Sequence, residues 1–594
     1  MSVQSYSGCL VSTLKKCKQS SKEAVDNLES FDSFKKYMHI SRTVETELEE
    51  IIVKSKNAEQ SQLILVCGGV GDGKSHTLAY LKSKYSFLST TEFYIHNDAT
   101  ESFDPQKTSI QTLAECFRDF SDEGLKSGAI KKAILAINLG ALNNFIDSDY
   151  GSQFSQLKNY VNSKKILEST ITSNNYDPNS HFQFVNFSDY YMFELTETGT
   201  KSDYLFGLIN KITAPLQENP FYKSYQNNCI NNCVVAEQCP IKKNYELIAE
   251  SNIQNKVIDL IVKAVISEKL IVSSRAFLNF IYNILVAPNY ENLSDDSIMK
   301  VNMNIQISEY IERLLPFLVF AQPDSSNINY ALSHLSPTNS RNEHIDQVLI
   351  DFKTVDDKTD LFHKYLNIDS LPYLFSLIKK YQKDEQLKSQ LEREVGKLFV
   401  HLSYFLNKEH WNVFHDPVFV KYVSYLYWSN IGNTGKLANL YNIELKEAIY
   451  RWNGNGFGTY ISLNVGQPQN SYKTLQKLEI QPLINKDVAS CSENQLSKFL
   501  LKIPVAFKVK NSVGSAAVEL DYSLYKLVTK IGEGYRPNKN DKLQFINFVD
   551  FINKLSELGN GREEIIFEEV HSASKSRYSL SYDNIFENYT FTVV

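Results

Sequence analysis

Lys74 and Ser75 follow Gly73 in the run GGVGDGKSH, Gly68–His76, and complete the pattern G-x-x-x-x-G-K-[ST] from Gly68 to Ser75. This spacing can hold the triphosphate of ATP. Glycines let the backbone curl so that successive N–H groups face phosphate oxygens, with no Cβ in the way. A helix opening at the end of the loop adds its positive N-terminus. In this reading Lys74 reaches the β- and γ-phosphates and the Ser75 hydroxyl holds Mg2+. The expected contact set is Gly68, Gly69, Val70, Gly71, Asp72, Gly73, Lys74, Ser75 and His76.

Hydrolysis needs more than binding. One acid orients Mg2+ through water and another polarises the attacking water. The segment FYIHND ends in Asp98, with Glu101 just beyond, and both are candidates; the alternative is that they cap the next helix. AILAIN ends in Asn138 rather than in an Asp-Glu pair, so Asn138 is read as a polar γ-phosphate sensor at a strand tip. Without a regular second acidic motif, slow hydrolysis or binding without hydrolysis stays open. Arg275, in VSSRAFLNFIYNIL, opens an amphipathic helix. It can report nucleotide state from a lid, or be a solvated helix-start arginine.

Cys229, Cys233 and Cys239 lie close together in NNCINNCVVAEQCPIKKNY. Three thiols so spaced suit a tetrahedral zinc site, but no fourth ligand is adjacent, so packed thiols remain the alternative. His401, His410 and His415 sit in an aromatic helical stretch and read as core or surface residues rather than ligands. Arg536, Lys539 and Lys542 read as a solvated turn before a helix, with contact to DNA phosphates as the other reading. The zincin, serine-hydrolase and zinc-deaminase signatures are absent from the sequence, and so is a nuclease motif.

The elements that must carry these residues follow from periodicity. SQLILVC (61–67) reads as the strand before the loop, and 76–85 as the helix after it. Further strands are read at 91–97, 133–138 and 181–187, with a helix at 110–120. Alternating strands and helices mean a mostly parallel sheet. The 594 residues, 43% hydrophobic with 35 Tyr and 35 Phe, imply about three to five well-filled domains. They divide into an N-terminal helical segment (1–55), a P-loop NTPase core (56–204), a helical lid with the cysteine run (205–300), a helical domain (301–450) and a small α+β C-terminal domain (451–594). A net charge of −6 gives no whole-chain attraction to nucleic acid. The opening MSVQSYSGCLVSTLKKCKQ lacks an apolar leader, and no run of about 18 apolar residues occurs. The eight cysteines are therefore expected as thiols in a cytoplasm, with no membrane association.

Four stretches in this order carry a resemblance: GGVGDGKSH (68–76), NDATESFDP (97–105), CPIKKNYEL (239–247) and LDYSLYKLVTKIGEGYRPNKND (520–541). Through them the chain resembles the DNA phosphorothioation-dependent restriction proteins of the DptF (DndF) family. The resemblance implies a bacterial defence protein working with DptG- and DptH-type partners against DNA that lacks phosphorothioate marks. It implies an ATPase coupled to DNA sensing or to assembly of that complex, meeting DNA through the complex, with Gly68, Gly73, Lys74 and Ser75 binding ATP; the core is read as AAA-like, and a homo-oligomer is left open. The competing expectation is a nucleotide-gated switch with little turnover.

Overall fold

The computed structural model describes residues 8–26, 33–69, 71–96, 108–168, 175–368, 371–383, 388–454, 458–463, 469–484, 495–510, 512–559, 564–571, 576–583 and 585–594. The chain forms two compact units, residues 1–194 with 201–415, and residues 195–200 with 416–594.

In the first unit, helices α1 (Leu10–Asp26), α2 (Ser33–Met38) and α3 (Thr43–Lys56) lead into strand β1 (Gln62–Cys67). There follow α4 (Lys74–Lys84), β2 (Tyr94–His96), α5 (Ser109–Phe117), β3 (Lys132–Ile137), α6 (Leu139–Ile146), α7 (Ser155–Ser163) and β4 (Phe182–Asn186). The strands make a four-stranded sheet in the order β2-β3-β1-β4, with every pairing parallel. A parallel sheet is covered on both faces, so its strands are continuous apolar runs. QLILVC is buried at every position. Side chains alternate across the sheet. Leu63, Leu65 and Cys67 join a core with Leu113 and Phe117 of α5 and Leu142 and Phe145 of α6. Ile64 and Val66 join another with Val44, Leu48 and Ile51 of α3 and Leu78 and Leu81 of α4. Truncating one such leucine to alanine costs ~2–5 kcal/mol, so this layering holds the loop after β1 rigidly.

Helices then dominate. α8 (Asp203–Thr213), α9 (Pro220–Ser224), α10 (Pro240–Ala249), α11 (Ser251–Ser267), α12 (Ser274–Leu285) and α13 (Asp295–Met303) are followed by further helices as far as Leu406. α12 buries Phe277, Phe280, Ile281, Ile284 and Leu285 at helical spacing. α1 packs along it with Leu10, Val11, Leu14 and Cys17 buried. His401 is buried, 3.3 Å from Ser336 Oγ and against the rings of Phe317 and Phe320, while His410 and His415 are exposed.

The second unit combines helices such as Pro417–Asn430, Tyr522–Gly532 and Ile546–Leu558 with two antiparallel sheets. One sheet orders 460–462, 472–477, 564–569, 577–583 and 588–593 in reverse along its width, and the other joins 480–482, 503–509 and 515–520. Arg536 and Lys539 are exposed before and at the start of the short helix Lys539–Gln544, and Lys542 Nζ donates to Asn453 Oδ1 at 3.1 Å. Among the described residues, no helix is long and apolar enough to cross a membrane.

Candidate functional site

β1 ends at Cys67 and α4 starts at Lys74, so the glycine-rich run forms the turn between them. Two glycines are required there by space as well as by conformation. Gly71 has φ +86°, and a Cβ on it would stand 2.9 Å from Ser273 Oγ. Gly68 has φ +154°, and a Cβ there would stand 2.9 Å from Cβ of Phe187, a buried side chain that cannot yield.

The loop folds around a charge of its own. The Gly69 N–H donates to Asp72 Oδ2 at 2.6 Å and shares with Ser188 Oγ at 3.2 Å. The Ser188 hydroxyl donates to the same carboxylate oxygen at 3.1 Å. Lys74 Nζ donates to the carbonyls of Gly68 at 2.8 Å and Gly69 at 2.7 Å. Beyond it, the first-turn N–H groups of α4 have no acceptor within the helix, as at any helix start. An ammonium, the Gly69 amide and a helix N-terminus therefore stand together. Beneath them, burial pushes the Cys67 thiol well up, with the Lys74 charge opposing that shift and Asp189 adding to it.

Three further elements clamp the loop. Arg42, at the N-cap of α3, donates from Nη1 to the Asp72 carbonyl at 2.9 Å and from Nη2 to the Tyr190 carbonyl at 3.4 Å. Its guanidinium lies 5.2 Å from the ring centroid of Tyr204 on α8, and Tyr204 Oη is 2.8 Å from Ser274 Oγ. Ser273 caps α12 by accepting the Ala276 N–H at 3.2 Å. Arg275 places its Cβ 3.6 Å from where a side chain on Gly71 would begin.

The sheet register sets the remaining neighbours. Cys67 pairs with Ile137 of β3 and with Asn186 of β4, so the ends of three strands lie level with Gly68. Asn138 follows Ile137, and its Oδ1 accepts the Ala141 N–H at 2.6 Å as the cap of α6. The amide N–H2 is the part of this side chain that can meet an acceptor at the strand tips. Asn186 Nδ2 donates to Asp189 Oδ1 at 2.6 Å, and Asn186 Oδ1 accepts the Ser188 N–H at 3.2 Å.

His76 directs its ring sideways toward α2 and α3. Its Nε2 is 3.1 Å from Nδ1 of His39, which stacks on Tyr80 and stands 3.3 Å from Glu45 Oε1. Burial, with the His39 charge beside it, lowers the His76 pKa to about 4.

Thus the structure gathers Gly68, Gly69, Gly71, Asp72, Gly73, Lys74, Ser75 and His76 at one turn, with Arg275 against it and Asn138 at the adjoining strand tip. Val70, Asp98 and Glu101 lie outside the described residues. Sequence reading missed Arg42, Ser188, Asp189 and Ser273. Ser188 and Asp189 follow a strand at its C-terminal end, where open α/β sheets place their sites, and that signal could have found them. Arg42 and Ser273 carry no local signal. Cys229, Cys233 and Cys239 line a different cavity. Among the described residues, no group of His, Cys, Asp or Glu stands at metal-coordinating spacing. No protein-family model matches this chain, and no curated protein is significantly similar to it.

Proposed function

We propose that the Gly68–His76 turn binds the triphosphate of ATP with Mg2+, and that the first unit is an AAA-like P-loop ATPase. The observation that carries this reading is the carboxylate of Asp72 seated on the Gly69 N–H. An anionic oxygen already occupies the concavity in which the loop would present amides to a phosphate. Lys74, resting on the Gly68 and Gly69 carbonyls, is the cation that would turn to the β- and γ-oxygens, and the Ser75 hydroxyl would hold Mg2+. Asn138 and Arg275 are the groups we assign to sensing the γ-phosphate, and Asp98 and Glu101 remain the proposed acids. The bound metal nucleotide supplies the charge that these side chains orient and partly neutralise.

On the resemblance, this ATPase serves a bacterial phosphorothioation-dependent restriction complex in the cytoplasm. It couples ATP to DNA sensing or to assembly with DptG- and DptH-type partners. A second reading, a nucleotide-gated switch with little turnover, is favoured by the self-closed loop. Asp72 and Lys74 must both exchange partners when a phosphate enters, so ligand-free and bound states differ in contacts, as a switch requires. ATP turnover and binding, measured with and without duplex DNA and the partner proteins, separate the two. Turnover that rises with DNA and vanishes in Lys74→Ala supports the ATPase. Tight binding without turnover under every condition supports the switch. Failure of the folded wild-type chain to take up Mg-ATP in calorimetry sinks both.

A further inference from the structure

Cys229, Cys233 and Cys239 leave a tetrahedral site one ligand short. The fold supplies the missing thiol from the other end of the first unit. Cys9, immediately before α1, shares a cavity of about 20 Å3 with all three, and Asn228, Lys242, Asp295 and Asn302 are the other polar residues that line it. Cys229 lies within electrostatic reach of Cys9, Cys233 and Cys239 together. Cys229 and Cys239 are each 7% exposed, and the four thiols are free of disulfides.

We infer that Cys9, Cys229, Cys233 and Cys239 form a four-thiolate zinc site that pins α1 to the helical region following the sheet. Several features beyond the cluster itself support a bound cation. Cys9 and Cys239 each stand at a helix start, where backbone N–H groups of Leu10 and Val11, and of Ile241 and Lys242, point at the sulfur. Burial, the largest influence, pushes both thiols up, and these amides offset part of that rise. Asn302 is fully buried and directs Nδ2 at Cys239 Sγ, 3.5 Å away, while its Oδ1 accepts the Tyr290 hydroxyl at 2.5 Å. That is the outer-sphere support a metal-bound sulfur receives. Zn2+ with four thiolates carries two net negative charges, and the Lys242 ammonium lies near Cys229 to offset one. Asp295, also on the cavity wall, is engaged by the Cys9 N–H at 2.7 Å.

The room decides between one ion and a cluster. A cavity of about 20 Å3 exceeds the ~10–15 Å3 needed for one water-sized occupant. It is far too small for an iron–sulfur cubane unless the wall moves. The sulfurs line the cavity without standing at metal-coordinating spacing, so binding has to draw them to the ~2.3 Å of a Zn–S bond by side-chain rotation. Because α1 packs along α12, this site fixes the helix that presents Ser273 and Arg275 to the glycine turn.

The test uses the full-length chain purified without chelator. One zinc per chain by elemental mass spectrometry, released by a mercurial that consumes thiols, is the expected result. Exchange with Co2+ should give the intense visible bands of a tetrahedral tetrathiolate. Cys9→Ser should shift and weaken those bands and reduce zinc affinity by more than about 100-fold, beyond the loss expected of an outer-sphere change. Cys116→Ser should leave both unchanged. If Cys9→Ser does not fold, Cys233→Ser at the half-buried position takes its place. Metal-free protein with all four thiols reactive and no uptake of Zn2+ or Co2+ overturns the inference. So does iron–sulfur absorbance, a disulfide among the four, or a full tetrathiolate spectrum in Cys9→Ser.

Discussion

The Asp72 carboxylate accepts the Gly69 N–H at 2.6 Å, so the glycine turn closes on one of its own side chains. The Ser188 hydroxyl donates to the same oxygen, and the Arg42 guanidinium donates to the Asp72 backbone carbonyl, which keeps this closed form in place. An entering phosphate must compete with that carboxylate for the amide and tolerate its charge nearby. A hydrogen bond to a charged group contributes about 1.5–3 kcal/mol, part of which is lost to solvent at this exposed turn. Asp72→Ala is therefore expected to tighten Mg-ATP binding about threefold to tenfold, measured by calorimetry. Weaker binding at an unchanged unfolding midpoint would mean that Asp72 helps to hold the nucleotide rather than competing with it.

Gly71 and Ser273 meet across the mouth of the turn with no space to spare. Gly71→Ala combines a positive φ with a Cβ at 2.9 Å from Ser273 Oγ. Such strain costs ~1–3 kcal/mol, and urea unfolding of the variant should read a loss of that size together with weakened ATP binding. Ser273→Gly in the Gly71→Ala background removes the clash but leaves the φ strain. The double variant should regain roughly half of the lost stability, a coupling expected only of residues in contact. Additive losses would place the strain elsewhere.

The strand–turn–helix that carries Gly68–Ser75 was legible because one local run encodes everything it needs. It has an apolar strand buried on both faces, glycines where φ is positive, and a helix opening at Lys74. The parallel α/β core followed from alternation, and all four strands of that sheet fall where the periodicity put them. What surrounds the turn was not legible. Arg42 lies 30 residues before the carbonyl it grips, and Ser273 lies far beyond the sheet; nothing local marks either contact. Cys9 was invisible as a neighbour of Cys229 for the same reason, since only the packing of α1 on α12 returns the chain start to that region. The strand 588–593, whose side chains are exposed along its length, lacks the half-buried alternation that marks a strand in sequence.

His76 links the turn to pH. Its pKa is lowered to about 4 by burial and the His39 charge, with Glu45 opposing and Lys35 adding to the shift, so it is neutral in the folded chain through the mildly acidic range. An unfolded histidine titrates near 6.5. Below that value the unfolded state binds more protons, and stability falls as pH falls from about 6.5 toward 4. The buried His401, also lowered to about 4, acts in the same window and with the same sign. Each contributes on the order of 3 kcal/mol at most over the full window. Urea midpoints between pH 7.5 and 4.5 should drop, and His76→Gln should flatten part of that slope. A slope unchanged in His76→Gln would show that His76 is protonated in the folded chain despite its burial.

On the proposed ATPase reading, Arg275 should separate binding from turnover. Ser273 anchors the start of α12 by its cap, and the arginine enters the turn's surroundings from a helix that is itself not part of the sheet. A guanidinium that reached the γ-phosphoryl oxygens from there would meet charge that develops in the transition state rather than charge already held by the amides, and stabilisation confined to the transition state raises turnover without tightening the ground state. Arg275→Ala is expected to leave Mg-ATP affinity within about threefold while lowering kcat tenfold or more, on the order seen when one transition-state donor is removed. Lys74→Ala, by contrast, should lose binding itself. Arg275→Lys should restore little, because a lysine offers a point charge without the planar fork. An Arg275→Ala variant that loses affinity as steeply as Lys74→Ala would make Arg275 a ground-state clamp, and would move the task of sensing the γ-phosphate to Asn138 at the tip of β3.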